Sequence, residues 1–213
     1  MFDLTRRAFV SAVAALSAGA ALQEGTASEL SASDAWLDRL KGKHRQLFDA
    51  PDPDGGTVLR EVRSYLDTWR GAYGVAERDV SVIVTLHART TPLGLQDAMW
   101  AKYRLGAALS ITDSTTNAPL VRNWFAHPQQ GDPVADGTPE SSIESLQGRG
   151  VVFALCNNAL KRWSARLEKQ GLGTAAAVHA DLTAHALPGV IIVPGVLITM
   201  TKAHERGFGY VRS

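Results

Sequence analysis

The chain has 213 residues and a formal net charge of +1 at neutral pH. This near-neutral balance gives no electrostatic basis for binding nucleic acid or an anionic membrane, so we expect neither as a partner. The length suits one well-buried globular core. The single cysteine, Cys156, cannot form an internal disulfide. It is therefore a buried inert residue, an intermolecular link or a reactive thiol.

Residues 1–28 are predicted to be an export signal. The motif Thr5-Arg6-Arg7-Ala8-Phe9-Val10 has the Ser/Thr-Arg-Arg-x-Phe-apolar form of a twin-arginine signal, and an uncharged apolar stretch follows as far as Leu22. This stretch is too short for a bilayer-spanning helix, which needs about 20 apolar residues. We expect cleavage after Ala18-Gly19-Ala20 or after Thr26-Ala27-Ser28. The predicted location is periplasmic or otherwise extracytoplasmic, without membrane attachment after cleavage, and a general-secretion signal is the alternative.

Residues 29–56 are expected to form an N-terminal helical segment and a turn. Apolar residues at helical spacing predict a short amphipathic helix with Ser33 as its N-cap, and they are Trp36, Leu37, Leu40, Leu47 and Phe48. The run Pro51-Asp52-Pro53-Asp54-Gly55-Gly56 predicts the turn. A longer helix is then predicted over 57–73, because its apolar residues share one face.

The rest of the chain alternates between apolar runs and helical patterns. Three runs, 80–86, 151–155 and 190–193, predict strands buried on both faces, and 208–211 predicts a short edge strand. Helices are predicted from Thr91-Pro92 to Gly106, over 143–147, from Asn157 to Gln170, over 174–187 and from 196 to about 207. This alternation predicts an α/β three-layer sandwich with a mainly parallel, flavodoxin-like sheet over 57–213. The long connection 107–140 is expected to be functional or disordered.

Cys156 is the most informative candidate for chemistry. It follows a predicted buried strand and directly precedes a helix, whose N-terminus presents free N–H groups and positive potential. Both effects favour the thiolate, which is the nucleophilic form. A structural cysteine packed in the core is the alternative, because free cysteine is among the most buried residue types.

His87 is the best candidate for an acid or base, because it ends the first predicted strand at the same sheet edge as Cys156. The alternative is a histidine in a loop whose ring is hydrogen-bonded and that takes no part in chemistry. The six histidines form no metal-ligand pattern, so we expect no metal. Glycine-rich phosphate loops and the Gly-x-Ser-x-Gly motif are also missing from the sequence, so we expect no cofactor and no α/β-hydrolase chemistry.

Three segments carry a resemblance to a known family: VIVTLHARTTPLGLQDAMWAKYRLG (82–106), GRGVVFALCNNAL (148–160) and LPGVIIVPGVLITMTKAHERGFGYV (187–211). The chain resembles the DsrE/DsrF-like sulfur-relay family, in its exported, twin-arginine branch, over roughly residues 40–212. The resemblance implies an α/β sandwich that assembles as homotrimers or hexamers. It also implies that the cysteine after the strand, here Cys156, carries a persulfide sulfur. His204 stands where the family usually has glutamine.

The sequence therefore predicts an exported sulfur carrier or sulfurtransferase in which Cys156 forms the persulfide and His87 moves a proton. Its partner would be a small sulfur-containing anion or a thiol protein. Six polar residues are candidates for binding the substrate: Asn157, Asn158, Lys161, Arg162, Arg122 and Asn123. The alternative is a non-catalytic module that binds a small ligand or anion at the same edge. Its apolar lining would come from Trp100, Tyr103, Trp124 and Phe125, for which packing in the core is the other interpretation.

Overall fold

The computed structural model describes residues 34–129, 132 and 139–213. The chain divides into two units that meet between Leu40 and Lys41, and the described part of the first unit holds a single 3-10 turn, Leu37–Arg39. The predicted export signal lies outside the described residues. Among the helices of the described residues, none has the length and apolar character needed to cross a membrane.

Five parallel strands form one sheet in the second unit. They are β1 (His44–Ala50), β2 (Val80–Leu86), β3 (Val152–Cys156), β4 (Ile191–Val193) and β5 (Gly209–Arg212). Their order in the sheet is β4-β3-β2-β1-β5, and each neighbouring pair is parallel. Helices flank this sheet, so the predicted α/β layered fold with a parallel sheet is confirmed.

Helices occupy the connections between the strands. They are α1 (Thr57–Tyr73), α2 (Asp97–Lys102), α3 (Leu105–Leu109), α4 (Ile143–Gly148), α5 (Asn157–Lys169), α6 (Ala175–Ala184) and α7 (Val196–Glu205). Shorter 3-10 helices lie at Asp54–Gly56, Glu77–Asp79, Ala88–Gly94 and Pro139–Ser141. The helix predicted over 57–73 is confirmed as α1. The helix predicted to run to about Gln170 with Asn157 or Asn158 as its N-cap is confirmed as α5, but its N-cap is Cys156.

The helix predicted from Thr91 to Gly106 is wrong, because this region is divided into the 3-10 helix and the short helices α2 and α3. Arg104 has a left-handed backbone with φ 51°, which no α-helix can contain. A side chain at Gly106 would clash with the backbone oxygen of Leu120. The chain therefore turns here so that its backbone can pack closely against residue 120.

The helical segment predicted within 29–56 is also wrong, because residues 44–50 are the strand β1. This strand pairs with β2 over its full length and with β5 on its other side. Leu47 and Phe48 are both buried, and adjacent residues of a strand point to opposite faces, so they fill both sides of the sheet. The apolar residues Leu47 and Phe48, which the predicted helix would place on one face, therefore lie on opposite faces of a strand in a sheet with helices on both sides.

The two faces of the sheet carry different residues. The first face carries Phe48, Val84 and Phe153, which join one apolar cluster with residues of α1, α4, α5 and α6. The second face carries Leu47, Ile83 and Ala154, and α7 packs on this side through β3. The handedness of parallel crossovers explains the division. The steps from β1 to β4 run in one direction across the sheet, and the return to β5 runs in the other.

The connection 107–140 contributes to the core in its described part. Leu120, Trp124 and Phe125 are buried in the same apolar cluster as the first face of the sheet. Trp100 and Tyr103 also belong to this cluster, and the indole N–H of Trp100 donates to the carbonyl of Pro92 at 2.9 Å. Of the two interpretations of these aromatic residues, the structure supports packing in the core and not the lining of a binding site.

We expect Leu47→Ala to lower the free energy of unfolding by about 2–5 kcal/mol, because it leaves a cavity beneath a central strand. Leu47 is 2% exposed. The control is Val121→Ala at a residue that is 63% exposed, and it should change stability by less than about 0.5 kcal/mol. Urea unfolding measures both values. Equal effects of the two substitutions would contradict the placement of β1 in the core.

Candidate functional site

Three neighbouring strands bring an acid, an imidazole and a thiol to the carboxyl end of the sheet. Asp49 is the penultimate residue of β1, His87 follows β2 directly, and Cys156 ends β3. Asp49 pairs with Thr85 in the register, and Leu86 pairs with Leu155, so His87 and Cys156 are one step past that last pair. Because side chains alternate along a strand, Asp49, His87 and Cys156 all belong to the second face.

The Asp49 carboxylate is the centre of a polar network in this group. Its Oδ1 atom accepts a hydrogen bond from Thr85 Oγ1 at 2.9 Å and lies 2.7 Å from His87 Nε2. Its Oδ2 atom accepts from the hydroxyl of Tyr210, on β5, at 2.9 Å. Both carboxylate oxygens therefore accept hydrogen bonds, which replace the water that Asp49 lacks at 7% exposure.

The network keeps Asp49 ionised. Burial by itself would raise the pKa of Asp49, but the hydrogen bonds from His87, Tyr210 and Thr85 outweigh it and lower the pKa below its usual value. The same bond to Asp49 raises the pKa of Tyr210, with a smaller contribution from burial. An ionised carboxylate only accepts hydrogen bonds, so His87 donates from Nε2 and, when neutral, keeps its basic lone pair on Nδ1.

Cys156 is a buried free thiol at the start of α5. It is 3% exposed, and it occupies the N-cap position of this 13-residue helix with extended backbone. The free N–H groups of the first turn place positive potential beside the sulfur. At the end of the neighbouring strand β2, the register gives His87 as the titratable residue one step past the Leu86–Leu155 pair, and adjacent strands lie about 4.8 Å apart.

Two of the predicted substrate residues lie at the same end of the sheet. Asn157 is the first residue of α5, and its Oδ1 atom lies 2.7 Å from His179 Nε2, which links α5 to α6. Asn158 is exposed, and a side chain at Gly195 would meet its amide nitrogen at 3.0 Å. Asn158 therefore lies beside the turn that leads from β4 into α7.

Arg122 and Asn123 are predicted substrate-binding residues, and the structure gives them other contacts. Arg122 forms an ion pair with Asp132 and lies over the ring of Trp124. Asn123 is fully buried, and its amide donates to the carbonyls of Leu93 and Leu95 at 2.8 Å each. None of these contacts involves Cys156, and those of Asn123 tie it to the 3-10 helix Ala88–Gly94 and to Leu95.

Lys161 and Arg162 are both exposed on α5. Arg162 lines a cleft between α5 and the 3-10 helix that follows His87, whereas Lys161 is not part of its lining. The cleft also contains Arg89 and Arg166, which sequence reasoning did not select. Arg89 could have been found from its position in the Arg-Thr-Thr-Pro segment that follows the first predicted strand, at the carboxyl end of the sheet.

Asp49, Thr85 and Tyr210 are site residues that the sequence did not reveal. Asp49 was hidden because its strand was interpreted as a helix. Tyr210 is 161 residues away from Asp49 along the chain, so nothing local connects them. The only local sign of a polar site was the acidic residue Asp49 directly after the apolar pair Leu47-Phe48.

Within the described residues, no group of three or more histidine, cysteine and acidic side chains is placed to hold a metal ion. No family model matches the chain, and no curated protein matches it. A solved protein of unknown function from Methanobacterium thermoautotrophicum is similar in fold, with 15% identity and a TM-score of 0.41. The match covers 80% of this chain and 99% of that protein.

We expect the pKa of the Asp49 carboxyl, measured by NMR, to lie below the usual value of about 3.9 and to rise in Tyr210→Phe, which loses one donor. A lowered pKa in the folded state stabilises the fold above the unfolded pKa, and this contribution is lost as pH falls through the folded pKa. Tyr210→Phe should therefore unfold at a higher pH in acid. Tyr73→Phe is the matched control at a residue that is 69% exposed. An unchanged Asp49 titration in Tyr210→Phe would contradict the network.

Proposed function

We propose that this chain is an exported sulfur carrier or sulfurtransferase of the DsrE-like type, with Cys156 as the persulfide-forming thiol. The observation that supports the proposal is the strand register, in which His87 and Cys156 directly follow the paired residues Leu86 and Leu155 on neighbouring strands. The Asp49 carboxylate lies 2.7 Å from Nε2 of this histidine. A nucleophile next to a base that a third group orients is the general arrangement of activated nucleophiles.

In this proposal, the chemistry begins when His87 takes the proton of the Cys156 thiol. The thiolate then attacks the outer sulfur of a donor such as thiosulfate, forms a cysteine persulfide anion and releases sulfite. One sulfur–sulfur bond forms and one breaks, and the total charge is unchanged. Attack by an acceptor thiolate on the outer sulfur returns the Cys156 thiolate and completes the transfer.

The helix N-terminus and the Asp49–His87 pair have complementary roles in this proposal. The first turn of α5 stabilises the thiolate and the persulfide anion, because its N–H groups and dipole favour negative charge. Asp49 is a positioning residue, since it touches His87 and not the reacting sulfur. It fixes the tautomer that leaves Nδ1 basic and stabilises the imidazolium that forms.

The burial of Cys156 has a consequence for a carrier. A lone thiol outside the cytoplasm is exposed to oxidation, and 3% exposure protects it between transfers. Loading and unloading then require a local opening, so sulfur transfer is slower than the reaction of an open thiol. Leu197 and Ile198, both exposed at the start of α7, support the further proposal of a homo-oligomer, in which such apolar residues are covered.

We expect the native protein, incubated with thiosulfate or polysulfide, to gain the mass of one sulfur atom, and Cys156→Ser to gain none. Asp49→Asn should slow this loading by about tenfold or more and move the pH of half-maximal loading, because His87 loses its fixed tautomer. The matched control is Asp181→Asn. Asp181, on α6, also accepts a hydrogen bond from a tyrosine, Tyr103, and forms an ion pair with Lys102.

Two results would overturn the proposal. One is the lack of any sulfur adduct on the native protein together with a Cys156 that alkylates only after unfolding. The other is equal loading by Asp49→Asn and the wild type at every pH, which would remove His87 and Asp49 from the chemistry.

Export is tested separately with residues 1–28 fused to green fluorescent protein. This reporter fluoresces outside the cytoplasm only if it folds before export, which is the property of the twin-arginine route. We expect periplasmic fluorescence that is lost when Arg6→Lys and Arg7→Lys are combined. Export of a reporter that crosses unfolded, unaffected by this double substitution, would instead indicate a general-secretion signal.

A further inference from the structure

A cleft of about 240 Å³ lies between α5 and the 3-10 helix after His87, and Cys156 is not part of its lining. Its walls are the first residues of the 3-10 helix Ala88–Gly94 and the outer side of α5. The lining consists of three arginines, one tryptophan and two alanines: Arg89, Arg162, Arg166, Trp163, Ala88 and Ala159. The lining contains no acidic side chain.

Two of the arginines are held in place by the end of a neighbouring helix. Arg89 donates to the carbonyl of Leu109 at 3.0 Å, and Arg166 donates to the carbonyl of Ala108 at 3.4 Å. These carbonyls belong to the last residues of α3, where the helix has free acceptors and negative potential. Arg166 also lies over the ring of Trp163, at 5.1 Å from its centroid. The guanidinium groups are therefore partly ordered before any ligand binds.

The base of the cleft is also fixed. Trp163 is 6% exposed, and its indole N–H donates to the carbonyl of Ala88 at 2.7 Å. Ala88 has a left-handed backbone with φ 50°, which is uncommon for a residue other than glycine. Its neighbours hold this strained conformation, and such residues concentrate at ligand sites.

The three arginines of the lining give the cleft a net positive charge. Arg89 pairs with Asp52 at 3.0 Å. Within the described parts of the chain, neither Arg162 nor Arg166 has an ion pair with a carboxylate, so the cleft keeps two positive charges beyond the Arg89–Asp52 pair. Guanidinium groups bind oxyanions such as phosphate through paired, charge-assisted hydrogen bonds.

We infer that this cleft binds a small organic dianion, with a doubly charged oxyanion group held by Arg162 and Arg166 and its carbon part against Trp163 and the alanines. The cleft is smaller than the 300–1,000 Å³ or so of sites for drug-sized ligands, which limits the ligand to about the size of a phosphorylated ring. This inference is independent of sulfur transfer, because neither Cys156 nor His87 lines the cleft.

Phenyl phosphate is the probe, and isothermal titration calorimetry at low salt measures its binding to the full protein. We expect it to bind more tightly than inorganic phosphate, which lacks the ring, and about tenfold more tightly than phenyl sulfate, which carries a single charge. Arg162→Gln should weaken phenyl phosphate binding by about tenfold or more. The matched control, Lys169→Gln, removes an exposed cation of α5 outside the cleft and should weaken binding less than twofold or so.

Three results would overturn the inference. The first is no binding of phenyl phosphate at millimolar concentration. The second is equal binding of phenyl phosphate and inorganic phosphate, which would leave Trp163 without a role. The third is equal weakening by Arg162→Gln and Lys169→Gln, which would reduce the effect to the general charge of the helix. Binding that survives in Cys156→Ser would separate this site from the proposed sulfur chemistry.

Discussion

The buried carboxylate of Asp49 is the interaction on which the carboxyl end of the sheet depends. It accepts hydrogen bonds from Thr85 and His87 on the β2 side and from Tyr210 on β5, so one charge joins three of the five strands. Removing a carboxylate from water is costly unless hydrogen bonds replace the lost hydration. The edge strand β5 is exposed along its whole length, so polar contacts, including the bond from Ser213 N to the Asp49 carbonyl, anchor it.

The order of the strands explains why this charge lies where chemistry is expected. The chain moves outward from β1 to β4 and then returns to the other side of β1, so the direction of progression reverses around β1. In open α/β sheets, ligands bind at the carboxyl ends of the strands where the order reverses. Asp49 and His87 lie at this position on β1 and β2, and Cys156 extends the same row to β3. The row follows from the topology and not from any local motif.

The sequence predicted the elements whose signals are local. The β-branched run of β2 and the apolar spacing of α1 are such signals, and the strand–cysteine–helix junction at Cys156 followed from them. β1 could not be found in this way, because His44–Ala50 contains no β-branched residue and its two large apolar residues face opposite layers. What makes it a strand is pairing with segments far along the chain: Asp49 bonds to Thr85, 36 residues away, and to Tyr210, 161 residues away. The Asp49 network was missed for the same reason.

The two sheet faces also determine how Cys156 becomes accessible. On the first face, α5 is anchored by buried Leu160 and Leu167 and by the bond from Trp163 to Ala88, so moving it would expose much of the core. On the second face, α7 buries only Val196, Thr199 and Ala203 among its described residues. Elements with few buried apolar contacts open at the lowest free energy. The thiol belongs to this second face, so under the proposed function we expect a solute to reach Cys156 by displacing α7, while α5 and the arginine cleft beside it stay in place.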